Sequence, residues 1–219
     1  MRTNKKGEAY YLCPKCNKLY KVVGITKTIP NYVFVSVDEN GNPPGYFDAD
    51  FNIKCLCNND FRCRLVDIDP NIAREIVILN RKGYKTHFCC EGHGMKDNPD
   101  FYVAFTIPKV RFEEIINTIT FPKDWEMKYG KFSCSIKKGF CKAILRVSMK
   151  TYFEKFEYDD EEENSFSYDN PISDEEYIKI HRRHLREFKE IVKSLPNLTG
   201  EKLNNRVSII QYDVKLIGE

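Results

Sequence analysis

Residues 79–93 read LNRKGYKTHFCCEGH. His87, Cys89, Cys90, Glu91 and His93 crowd into the last seven positions, and no other part of the chain concentrates as much ligand and acid–base chemistry. The stretch also joins two elements. Upstream, Asp69 can cap a helix, Pro70 suits its first turn and Gly83 sits just past its end. Ile72, Ala73, Ile76, Val77 and Leu79 fall mostly on one face, so this helix should pack on a sheet. Arg81 and Lys82 stand where the helix dipole favours cations. Tyr84 to Cys90 then reads as a strand, with His87 and Cys89 on one side and Phe88 and Cys90 on the other. At Glu91-Gly-His-Gly94 the strand breaks, and two Gly permit a tight turn that folds His93 back toward it.

Three readings of this turn compete. Cys90 and His93 have metal-ligand spacing and would need a third ligand, with Cys134 or Cys141 as candidates. Alternatively, Cys90 is a nucleophile with His93 or Glu91 as proton acceptor, which makes Cys90, Glu91 and His93 the candidate catalytic set. The third reading is structural: a buried Cys90, a backbone-bonded His93 and glycines required by the bend. For a bound ligand, the lining would be Thr86, His87 and Gly92, with Lys142 and Arg146 as an anion site if their strand face meets the turn.

Before this stretch lies a candidate zinc ribbon. Cys13-Pro-Lys-Cys16 is a Cys-x-x-Cys knuckle, and Cys55 and Cys57 supply a second pair. Four thiolates meet the needs of a closed, structural Zn2+ site, with Cys63 competing for the fourth position. The intervening residues look like hairpin material: Tyr32 to Val37 is β-prone, Asp38 to Gly41 is a turn, and Phe47, Ala49, Phe51 and Ile53 alternate with polar residues.

Beyond the turn, Phe101 to Ile107 is a strand, and Phe112, Ile115, Ile116 and Ile119 mark a short amphipathic helix. Phe121 to Trp125 reads as a loop with Trp125 as a packing anchor. Phe132, Cys134 and Ile136 alternate, as do Ala143, Leu145, Val147 and Met149, giving a hairpin around Lys138-Gly139. Residues 154–172 are acidic and read as a linker or long loop. Ser173 with Glu176 forms a capping box for a long helix that runs to Leu195 and stops at Pro196. His181 and His184 have metal-ligand spacing but lie beside an apolar stripe, the pattern of a core edge. Val207 to Ile217 reads as a last strand.

The expected fold is α+β: a β-hairpin zinc ribbon over 1–66, then a mixed, largely antiparallel sheet domain over 67–153. The acidic segment 154–172 follows, and 173–219 supplies a C-terminal helix and strand packed on that domain. Nine Cys with a Cys-x-x-Cys pair, and no secretory signal, favour metal over disulfides and a cytoplasmic location, the host cytoplasm if the gene is viral. No run of about 20 apolar residues is present to span a membrane. Net charge is +3, but residues 1–30 carry seven Lys/Arg against one acid, 109–150 carry ten against four, and 154–176 carry eleven acids against one Lys. The basic stretches can attract a phosphate-bearing partner, nucleotide or RNA. Phosphate-loop, dinucleotide-binding, HExxH and serine-elbow motifs are all absent from the sequence.

The run VDIDPNIAREIVILNRKGYKTHFCCEGH resembles a group of uncharacterised small proteins of low-GC bacteria and their phages. In that group a zinc ribbon precedes a helix and the pattern LNxKGYxTxxCCxGH. Leu79, Asn80, Lys82, Gly83, Tyr84, Thr86, Cys89, Cys90, Gly92 and His93 match it, and the resemblance covers about residues 10–107. It implies the division into ribbon and α/β domain and brings no activity. Cys90-Glu-Gly-His93 is also similar to the CSGR of the SSCSGR turn in the wybutosine-synthesising tRNA methyltransferase family, where the ligand is S-adenosylmethionine. Cys90 and Gly92 match, while Glu91 and His93 replace Ser and Arg. That likeness implies a turn that lines a ligand site. The function expected is a zinc-containing protein that binds a nucleotide-like or nucleic-acid phosphate ligand at the turn. The alternatives are an enzyme (metal-assisted hydrolysis or S-adenosylmethionine-dependent RNA modification) and a phage or bacterial factor acting on a host protein.

Overall fold

A computed structural model of the chain describes residues 9–13, 16–23, 66–92, 101–148, 151, 155–158, 166–169, 172–200 and 207–213. Cys55, Cys57, Cys63, His93 and the expected hairpin between Cys16 and Cys55 lie outside the described residues. In chain order the elements are β1 (Ala9–Leu12), β2 (Leu19–Val23), β3 (Val66–Ile68), α1 (Ala73–Arg81), β4 (Lys85–Glu91), β5 (Phe101–Pro108), α2 (Lys109–Thr118), β6 (Trp125–Tyr129), β7 (Phe140–Val147), β8 (Lys155–Tyr158), β9 (Phe166–Asp169), α3 (Asp174–Ser194) and β10 (Ile209–Asp213). The architecture is mixed α+β with largely antiparallel sheets and a long helix near the C-terminus. Among the described residues, no helix is long and apolar enough to cross a membrane.

The chain divides into two compact units, one of residues 1–77 and 204–219 and one of residues 78–203. In the first, the strand order is β10-β2-β1-β3. β1 pairs antiparallel with β2 and with β3, and β10 lies parallel to β2, with Ile209 opposite Leu19. The last strand was expected on the other domain. Its partner is instead the edge of this sheet, a choice its own sequence does not encode.

In the second unit the order is β4-β5-β7-β6, all antiparallel. Phe101, Val103, Phe105 and Ile107 of β5 are all fully or nearly fully buried on one face, which α2 and α3 cover. Trp125 anchors this core: its ring stacks on Phe188 (5.8 Å, 17°) and meets Phe101 edge-on, while its Nε1 donates to Glu187 at 2.9 Å. The strand before β7 differs from expectation. It is Trp125–Tyr129, whereas 130–139 is irregular despite the alternation of Phe132, Cys134 and Ile136. Burial decides between the two, because Trp125 and Met127 fill the core opposite Val147 and Leu145. The acidic segment is also not wholly a loop: β8 and β9 pair antiparallel, with Phe156 opposite Tyr168 and Tyr158 opposite Phe166. Alternating aromatic residues there carry a strand pattern that the acid count obscures.

The stretch after α1 ties this unit together. Gly83 (φ +95°) closes α1 through bonds from Gly83 N to Asn80 O and from Tyr84 N to Leu79 O, the pairing that ends many helices in a left-handed residue. A Cβ on Gly83 would lie 3.1 Å from that of Leu198. Just before it, the Lys82 ammonium is buried and donates to the carbonyls of Val192 (2.6 Å), Lys193 (2.9 Å) and Leu195 (2.5 Å). These are the terminal carbonyls that α3 cannot satisfy within itself, and they carry the negative end of its dipole. Burying an ammonium costs several kcal/mol if it is left alone, and burial pulls the Lys82 pKa down; three charge-assisted bonds offset that cost. Tyr84 Oη donates to Pro196 O at 3.1 Å. Ser173 caps the other end of α3 by accepting from Glu176 N.

Lys82→Met keeps the stem and removes the ammonium. It should lower the unfolding free energy by about 2–3 kcal/mol in urea titration. A change below about 0.5 kcal/mol would mean that water satisfies the α3 carbonyls equally well.

Candidate functional site

β4 carries most of the residues singled out by sequence. Its pairing with β5 shifts between Thr86, opposite Phe105, and Phe88, opposite Ala104, so His87 is the extra residue of a β-bulge. The bulge corrects the expected facing. His87 lies with Phe88, not with Cys89: its Nε2 is hydrogen-bonded to Thr106 Oγ1 at 3.3 Å, and its ring is 6.5 Å from that of Phe88. From the register, the face away from the helices has three rows: Lys85, Thr106 and Lys142; Phe88, Ala104, Ile144 and Lys128; Cys90, Tyr102, Arg146 and Glu126. The other face takes Thr86, Cys89 and Glu91.

This sorts the candidates. Thr86 is committed to α1: Asn80 Nδ2 donates to its Oγ1 at 2.6 Å, and Thr86 N donates to Asn80 Oδ1 at 3.2 Å. Cys90 and Glu91 are both buried, but on opposite faces of the sheet. Cys90 shares its row with Arg146, whose Nε donates to Glu126 at 2.6 Å. Cys141 is buried opposite Ile107, on the helix face, whereas Cys90 lies opposite Tyr102. Five residues of β5 separate those pairs, roughly 17 Å, so Cys141 is not a third ligand beside Cys90. Cys134 is half-buried in the segment before β7.

The turn is held by α3. Gly92 has φ +75°; Tyr177 Oη donates to its carbonyl at 3.1 Å, and His181 Nε2 donates to the carbonyl of Glu91. His181 and His184 therefore sit in the core as expected, and His184 Nε2 is 3.3 Å from Asp124 Oδ2. Among the described residues, no three His, Cys, Asp or Glu side chains are placed to hold a metal ion.

The row Lys85–Thr106–Lys142 differs from the Cys90 row. Lys142 donates to Phe132 O and lies 5.4 Å from that ring's centroid. Among the described residues, no carboxylate pairs with Lys85 or Lys142. Burial, Lys85 and Lys142 together hold the His87 pKa below its usual value. In the next rows, Glu126 pairs with Lys128 and Arg146; burial pushes its carboxyl up, but their hydrogen bonds outweigh that and hold it below the usual range. Sequence reasoning named Lys142, Arg146 and His87 but missed Lys85, Phe88 and Phe132. The available signal was composition: residues 127–142 hold five Lys and no acid.

A cleft of about 640 Å³ lies on the other side of the unit, lined by Lys123, Asp124, Glu176, Arg183 and Glu187 among others. Its three carboxylates against two cations, one of them the Arg183 already paired with Asp124, do not suit an anion.

His87 and His184 both have pKa values lowered from 6.5 by burial, in His184 against the opposing pull of its bond to Asp124. Above 6.5 both are neutral in the folded and unfolded chain. Below it the unfolded chain takes up protons that the folded one resists, so stability falls as pH drops through this range. Urea midpoints should be lower at about pH 5.5 than at about pH 7.5, and His184→Gln should flatten the difference. Equal midpoints would contradict neutral, buried imidazoles.

Compared with protein-family models, curated proteins and solved structures, the chain matches none of them. What the site can do rests on its own chemistry.

Proposed function

We propose that this chain is a zinc-containing protein that binds a phosphate-bearing ligand, nucleotide or nucleic acid, on the open face of its second sheet, at the Lys85 end of β4 rather than at the Gly92 turn. The observation that carries this reading is the Lys85–Thr106–Lys142 row. Two cations with no carboxylate partner among the described residues stand on either side of the buried Thr106, whose hydroxyl is bonded to His87, and ammonium groups suit phosphate oxygens. The Cys90 row balances Arg146 with Glu126, so the unpaired positive charge lies near Lys142 rather than at Cys90. Binding fits this arrangement better than the covalent chemistry of a Cys90, Glu91 and His93 set, since β4 sends Cys90 and Glu91 to opposite faces.

Zinc is the second part of the proposal. Cys13 and Cys16 occupy the tip of the β1–β2 hairpin, where Cys13 N donates to Lys18 O at 3.0 Å and Asn17 N donates to Cys13 O at 2.9 Å. Asn17 takes a left-handed φ of 55°, which lets the backbone reverse directly after the second thiol. Two thiols at one hairpin tip are what half of a four-thiolate site requires, and Cys55 with Cys57 or Cys63 would complete it. Such zinc would contribute folding energy rather than chemistry.

Calorimetric titration with tripolyphosphate, nucleoside triphosphates and a short RNA tests the first part. Binding should weaken with salt, and Lys85→Gln/Lys142→Gln should reduce the slope of log K against log salt by about 1.4, two phosphate contacts on a single strand. No heat from any of the three, with folded and zinc-loaded protein, overturns the reading. For the metal, elemental analysis should find about one zinc per chain, lost in Cys13→Ser/Cys16→Ser. A wild type without zinc removes the ribbon.

A further inference from the structure

We infer that the phosphate-bearing ligand is a single-stranded nucleic acid whose bases stack on an aromatic platform built at the β4 bulge; this rests on the phosphate reading above. The bulge puts two consecutive residues, His87 and Phe88, on the open face, where a regular strand would present one. A third ring arrives from the segment before β7. Phe132 lies 5.6 Å from His87 and 5.9 Å from Phe88, centroid to centroid. Its position is fixed by its surroundings. Gly130 leaves room for it, since a Cβ there would lie 2.7 Å from the Phe132 ring and 3.0 Å from Ile144. Lys142 holds its carbonyl. The platform is therefore preorganised, which spares a ligand the cost of ordering it.

Phe88 is 50% exposed on an edge strand, with the Phe132 ring beside it and lysines on the surrounding surface. Lys85 lies two positions before the bulge, and Lys131, Lys137 and Lys138, in the segment that carries Phe132, are exposed with no acid between them. An apolar protein segment would have to desolvate this charge without a counter-charge. A nucleic-acid strand brings flat π-faces for the rings and a phosphate every nucleotide for the lysines. Within a duplex, base faces are covered by their own neighbours, so rings on a sheet surface select the single strand.

The test is fluorescence anisotropy on the full chain with labelled oligouridylate and oligothymidylate of about twelve nucleotides, a duplex of equal length, and tripolyphosphate as competitor. Either single strand should bind at least about tenfold more tightly than the duplex. Phe88→Ala should weaken single-strand binding about tenfold, Phe88→Tyr should restore it, and tripolyphosphate should compete equally well for all three proteins. Because the Phe88 ring is half exposed, circular dichroism should show the variants folded. If the duplex binds as tightly, or Phe88→Ala binds like wild type while Lys85→Gln/Lys142→Gln loses binding, the stacking site is wrong and the phosphate site stands. If neither oligonucleotide nor tripolyphosphate binds, both fall. A preference between the uridylate and the thymidylate identifies which nucleic acid is read.

Discussion

The buried ammonium of Lys82, set among the last carbonyls of α3, is the contact on which the second unit depends. It satisfies a helix end and a buried charge with the same three bonds, so neither can be removed without exposing the other's cost. The partners are separated by 110 to 113 residues. Three residues before the strand it introduces, Lys82 also helps set where β4 starts relative to α3. From there β4 runs back along the helix. Tyr84 bonds the carbonyl of Pro196 at one end, and the carbonyls of Glu91 and Gly92 take hydrogens from His181 and Tyr177 at the other. Eight residues of strand span about 26 Å and nineteen residues of helix about 28 Å, so the two are matched in length. A slip of one residue at either end would break contacts at both.

This gives the LNRKGYKTHFCCEGH stretch a structural account. Asn80, Lys82, Gly83, Tyr84, Thr86 and Gly92 each have a bond or a backbone requirement that explains their chemistry. His87 and Phe88 are the residues that the bulge turns outward. A bulge at His87 interrupts the ladder by one residue, and its effect is to gather His87 and Phe88 on the side away from the helices, next to the Lys85–Lys142 row. The same sheet thus has one face filled by Phe101, Val103 and Phe105 and a second face of cations and rings. The first face stabilises the unit through apolar burial, and the second is left to contact a polar partner.

Some of this was legible in the residues. Ser173 and Glu176 marked the start of α3, Pro196 its end, and Gly83 the end of α1, because caps and left-handed turns depend on atoms only a few positions apart. Alternation placed β5 and β7 correctly for the same reason. It failed for Phe132, Cys134 and Ile136, where a matching local pattern was outcompeted by the burial of Trp125 and Met127. The candidate site was read in part. His87, Lys142 and Arg146 stood out, but which of them act together was hidden by a bulge that period-two reasoning does not contain.

By itself, then, the sequence determined the three helices, strands such as β5 and β7, most helix ends and the uneven spread of charge, all of which follow from neighbours within a turn or two of chain. The tertiary structure decided the rest: that Lys82 ends a helix more than a hundred residues away, that β10 joins β2, and that Phe132 meets His87 and Phe88 beside two lysines. Those are choices between partners of similar local merit. They are settled only when burial, register and the satisfaction of distant backbone groups are evaluated together.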